Sequence, residues 1–89
     1  MSPNVLFIYE TALRLAETDS TMSGQSLAGL MNASGLRTTH GTPYTGHGRG
    51  SHKAIDRAYQ SVARSLGDAE AKKVALAFTK MDGTYAYKD

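Results

Sequence analysis

The stretch SHKAIDRAYQSVARSL, residues 51–66, decides how this chain is read, because winding it as a helix separates it into two faces. At about 100° per residue, Ile55, Tyr59, Val62 and Leu66 fall on one side, with Ala58 beside them. Lys53, Arg57, Gln60 and Arg64 fall almost directly opposite. The apolar face anchors such a helix to a core, and the opposite face is free to offer donors to a partner. Arginine pairs guanine O6/N7 and glutamine pairs adenine N6/N7, so this face suits a DNA groove. Lys53, Ser51, His52 and the free N–H groups at the helix start suit backbone phosphates. Arg49, in the preceding glycine-rich GHGRG (46–50), is expected to join them.

With 89 residues the chain is read as one domain, 1–89, with a single modest core. The apolar share of 40% is that of a globular protein. There is no cysteine, hence no disulfide framework, no thiolate nucleophile and no cysteine-ligated zinc. The apolar run 5–9 is followed by Glu10 and then Arg14, too short and too charged for a signal peptide or a membrane span. A soluble, cytoplasmic protein with no membrane partner is expected. The net charge of +2 is unevenly spread. Residues 37–64 carry five basic residues against Asp56 alone, and the rest of the chain carries five against seven acids. Positive charge concentrated in the middle third is an electrostatic footprint for a polyanion.

The first helix is expected over residues 3–17, with Ser2 as N-cap and Pro3 at the first helical position. Its apolar face is broad enough to pack on more than one side, a second subunit included. The second helix begins near Ser23, carries Leu27, Leu30 and Met31, and ends at Gly35. Gly29 within it suggests close approach of another helix. Residues 36–45, LRTTHGTPYT, read as a short hairpin or extended arm. Gly67 closes the third helix, Asp68 caps a fourth over 69–80, and Asp82-Gly83 turns the chain into a strand with Tyr85 and Tyr87 on one face. Pairing of that strand with 36–45 would make a small sheet. The fold class is therefore mostly α with a small β element: a winged or variant helix-turn-helix of about four helices plus a short hairpin or C-terminal strand.

Other chemistries fail on spacing. Gly41 and Gly46 have P-loop separation, but His47-Gly48 follows where Lys and Ser or Thr are needed. Gly46, Gly48 and Gly50 alternate and so miss the dinucleotide fingerprint. His40, His47 and His52 match no zinc pattern, and they are read as polar contacts to an anion. Ser51 and His52 are adjacent, which makes no dyad, and Asp56 pairs locally. No enzyme activity, metal, cofactor or small-molecule substrate is expected.

Residues 26–45, SLAGLMNASGLRTTHGTPYT, resemble the start of the DNA-binding "recombinase" region of large serine recombinases. That pattern runs roughly I-A-x-x-L-N-x-x-G-I-x-T-x-x-G-x-x-W-[ST]. Leu27-Ala28, Met31-Asn32, Gly35-Leu36, Thr38, Gly41 and Tyr44-Thr45 fall in step, with Tyr44 in the tryptophan place. The family's catalytic domain is not part of this stretch, and GHGRG lengthens the step to the next helix. The resemblance implies a stand-alone DNA-binding module whose third helix enters the DNA. Arg37, Thr38, Thr39 and His40, on the arm before it, complete the expected interface. The reading is a sequence-specific duplex DNA-binding transcriptional regulator, a repressor of a phage, plasmid or other mobile element, acting as a homodimer. The alternative is a small protein-binding module, such as a phage-encoded inhibitor that docks its basic face on an acidic partner.

Overall fold

Two serine caps set the frame. Ser2 Oγ accepts from the Val5 amide at 3.2 Å and Pro3 takes the first helical position, so α1 spans Pro3–Glu17 as its sequence requires. Ser23 Oγ accepts from the Ser26 amide at 3.1 Å and starts α2 (Gly24–Ala33). α2 ends in a Schellman turn. Gly35 adopts φ 84°, which a side chain would resist, while the Leu36 amide bonds Met31 O and the Gly35 amide bonds Asn32 O. The computed structural model describes residues 1–45, 49–80 and 84–85, with the side chains of 49 and 50 outside that description. It adds α3 (Arg49–Leu66), α4 (Asp68–Ala77) and two short strands, β1 (Met22–Ser23) and β2 (Phe78–Thr79).

The domain is mostly α with a small β element, but that element is not the one anticipated. β1 and β2 pair in parallel, Met22 opposite Phe78 and Ser23 opposite Thr79. Tyr85 bridges Thr79 in antiparallel sense rather than reaching 36–45, which contains no strand. The fourth helix stops at Ala77 instead of Lys80. Phe78 turns extended, φ −122° and ψ 140°, and fully buries its ring while its backbone joins β1. Asp68 does not cap α4; Gly67 holds the N-cap place, and Asp68 lies in the first turn with Glu70, where the helix dipole favours acids. The Asp82-Gly83 turn and Tyr87 lie outside the described residues.

α3 is the spine. Ile55, Ala58 and Val62 are fully buried among Ile8, Ala12, Leu27, Met31, Val74 and Phe78. Tyr59 is only half-buried, and Leu66 is 48% exposed because the last turn of α3 overruns the core. α3 packs most extensively on α4 and α1, and α1 divides its broad apolar face between them. Gly29 is exposed, with nothing within 4 Å of where a Cβ would stand, so it serves no close approach. Gly24 does instead: a Cβ there would lie 3.0 Å from Ser51 Oγ and 3.3 Å from the His52 ring.

One polar link ties α1 to α4. The Tyr9 hydroxyl donates to Glu70 Oε1 at 2.5 Å, and Lys73 Nζ lies 2.8 Å from Glu70 Oε2. Bonding to Lys73 first, then to Tyr9, holds the Glu70 carboxyl below its ordinary 4.5. The bond to Glu70, then burial, holds the Tyr9 hydroxyl above its ordinary 10.0. The carboxylate's stabilisation is present above its unfolded range and fades as pH falls through the lowered folded value. The hydroxyl's is present below its unfolded range and fades as pH rises through the raised folded value. Tyr9→Phe should therefore lower the urea midpoint at neutral pH and flatten its decline at alkaline pH. Parallel alkaline curves for both proteins would show that the bond does not contribute.

Candidate nucleic-acid interface

The segment between α2 and α3 is held by side-chain amides rather than by a sheet. Asn32 Nδ2 donates to Tyr44 O at 2.9 Å, and Asn32 Oδ1 accepts from the Tyr44 amide at 2.8 Å. One side chain thus occupies both backbone groups of a residue whose ring is buried. From α1, Asn4 Nδ2 donates to Arg37 O at 2.8 Å and to the Tyr44 hydroxyl. Inside the loop the Gly41 amide bonds Thr38 O and the Thr38 amide bonds Thr42 O, both at 2.9 Å. The Thr38 and Thr42 hydroxyls meet at 2.8 Å. Gly41 takes φ 79°, closing a turn that places 37–42 beside α3.

The result is a cleft of about 500 Å³ between the start of α1, this loop and the first turns of α3. Arg37, Thr38, Thr39 and His40 line it together with Lys53 and Arg57. Six of the residues expected at the interface therefore meet in one place, although they come from two separate segments. No aspartate or glutamate lines the cleft among the described residues. Gln60 and Arg64 continue the stripe along α3, both exposed. Lys53 to Arg64 spans roughly 16 Å at the helical rise. Gln60 Nε2 makes a long bond, 3.4 Å, to Asp56 Oδ1 on the flank. Among the described residues, Lys53, Arg57 and Arg64 have no carboxylate within ion-pair distance. Exposed cations left unpaired keep their full charge for a polyanion.

Three expectations need correction or fall elsewhere. Ser51 is no phosphate contact, since it is fully buried and its Oγ has no hydrogen-bond partner among the described residues. The reason is that α3 starts at Arg49, which turns Ser51 onto the core face one turn before Ile55. The helical spacing of Ser51 from Ile55 and Ala58 already carried that signal. His52 is half-buried against Gly24 at the start of α2 and does not line the cleft. The Arg49 side chain and the 46–48 part of GHGRG lie outside the described residues. Asn4, Asn32 and Tyr44 were not singled out as builders of the site, and only the spacing of Asn32 and Tyr44 within one motif hinted at them.

Asn32→Ala removes both bonds to the Tyr44 backbone and leaves partly buried groups unpaired, which costs about 1–3 kcal/mol. Chemical denaturation should show that loss, and amide exchange should accelerate at Thr42, Tyr44 and Thr45. Wild-type exchange at those amides would mean the loop is held by other contacts. Ser51→Ala should be neutral or raise the unfolding midpoint, because it deletes a buried hydroxyl without a partner.

No protein-family model matches this chain, and no curated protein or solved structure matches it at a significant level.

Proposed function

We propose that this chain binds duplex DNA sequence-specifically and regulates transcription in the cytoplasm, as a repressor from a phage, plasmid or other mobile element. The observation that carries this reading is the exposed stripe Lys53, Arg57, Gln60 and Arg64 on α3, joined at its N-terminal end by Arg37 across the cleft. α3 is about 27 Å long, and its opposite face is anchored in the core, so the stripe is presented on a rigid support. A helix of that kind fits the major groove, with Arg57, Gln60 and Arg64 toward base edges and Lys53 and Arg37 toward phosphates. Helix α2, the clasped loop and α3 make a helix-turn-helix with a long connection. The resemblance of 26–45 to the DNA-binding region of large serine recombinases favours the same reading.

A reader this small gains affinity and half-site specificity by pairing with a second copy. The surface for it is the groove of about 350 Å³ between α1, β1 and α2, lined by Phe7, Thr11, Arg14, Leu15, Met22 and Leu30, the last 44% exposed. Binding selection from a random duplex pool, with oligomeric state measured alongside, tests the reading. A single sequence should be enriched over bulk competitor. Arg57→Ala and Arg64→Ala should each cost about 1–3 kcal/mol on that sequence. Lys53→Ala should weaken all duplexes alike and reduce the salt slope by about one. If no sequence is enriched and both arginine variants bind as the parent does, the basic face belongs to an acidic protein partner instead.

A further inference from the structure

The cleft is more apolar than a groove-reading surface requires. Its floor is Val5, Ile8 and Ala54, and Arg37, Lys53 and Arg57 stand around it. A duplex backbone laid along α3 passes over such a hollow without filling it. At about 500 Å³ the hollow has the size of a small-molecule site: apolar walls with a few convergent polar groups. The charge identifies the head of the ligand. Lys53 and Arg57 face the cleft from α3, and Arg37, whose Nη1 donates to Asn32 O at 3.2 Å and Leu36 O at 2.7 Å, adds a third positive charge at its rim; with no carboxylate among the described lining residues, the set matches a dianion better than a single charge. A phosphomonoester carries about −1.5 to −2 at pH 7 and offers several acceptor oxygens. The hydroxyls of Thr38 and Thr42 lie in the same wall and bond each other, which leaves one O–H to donate to a ligand oxygen.

We infer that this cleft binds a small phosphomonoester with an apolar or aromatic body, and that the bound ligand competes with DNA for Lys53 and Arg57. The competition, though not the binding, rests on the DNA reading above. Because both partners claim the same two cations, each must lower the apparent affinity of the other. DNA occupancy would then follow the concentration of a small metabolite, with no conformational change in α3.

Amide-shift titration with 5′-AMP, octyl phosphate, adenosine and inorganic phosphate tests the inference on the intact chain. AMP, octyl phosphate or both should give saturable shifts at Val5, Thr42 and Ala54. Inorganic phosphate and adenosine should bind at least about tenfold more weakly, since each lacks half of the ligand. Val5→Phe fills the floor and removes no cation. It should lose phosphomonoester binding by about tenfold or more and keep duplex affinity within about twofold. Ala54→Leu repeats the test from the other wall if Val5→Phe does not fold. A saturating phosphomonoester should displace duplex from the parent and not from the filled variant. The inference is overturned if neither phosphomonoester binds more tightly than inorganic phosphate, or if a folded filled variant binds it as the parent does. If the parent binds no duplex at all, the DNA reading fails, and the titration alone decides the cleft.

Discussion

The cleft beside the basic helix depends on one side chain holding another residue's backbone. Asn32 closes both hydrogen bonds of Tyr44 and so fastens a fifteen-residue connection between α2 and α3, none of whose described residues joins a strand. A buried backbone must satisfy its polar groups somewhere. In this chain an asparagine supplies what a neighbouring strand supplies in a winged domain. The arrangement lets Tyr44 bury its ring as an anchor, with Asn4 holding its hydroxyl and the carbonyl of Arg37 from a different helix. Arg37 at one end of the loop is thereby brought beside the cations of α3.

How much of this could be read from the chain depends on whether the signal was local. Ser2-Pro3, Ser23 and Gly35 mark helix ends through bonds spanning only a few residues, and all three ends fall where the sequence puts them. The buried and exposed faces of α3 also follow from spacing alone, down to the exposed stripe from Lys53 to Arg64. Ser51 and Leu66 were misplaced at the two ends of the same helix. Amphipathic spacing gives the direction of the core and does not tell how far the core extends along the axis. The strand at Phe78–Thr79 was missed for another reason. Val74, Ala77 and Phe78 keep helical spacing, and only the partner at Met22–Ser23, remote in sequence, makes the extended form preferable. The Asn32–Tyr44 clasp is likewise a tertiary bond, which a motif can hint at and periodicity cannot.

The electrostatic design separates two tasks. Glu70 and Lys73 satisfy each other and Tyr9 on the α1–α4 side, where charge serves to join elements. On the other side Lys53, Arg57 and Arg64 are left without described carboxylate partners, and like charges set along one helix repel. Such repulsion is tolerable because α3 is anchored by Ile55, Ala58 and Val62, whose burial does not depend on the exposed face.

The parallel pairing of β1 with β2 has a consequence for how the molecule breathes. It joins the residue pair just before α2 to the pair just after α4, so α2, α3 and α4 lie inside one closed loop of chain and α1 lies outside it. Among the described residues, α1 is bound to the rest by its packing, by Tyr9 and by Asn4. Its separation would leave the sheet paired, but it would uncover Ile8 and Ala12, which are buried against α3. Such an opening removes the Val5 and Ile8 wall of the cleft and releases Asn4 from the loop, yet it leaves the charged stripe in place. The small hollow thus needs α1 and the loop as well as α3, whereas the long cationic face needs α3 alone.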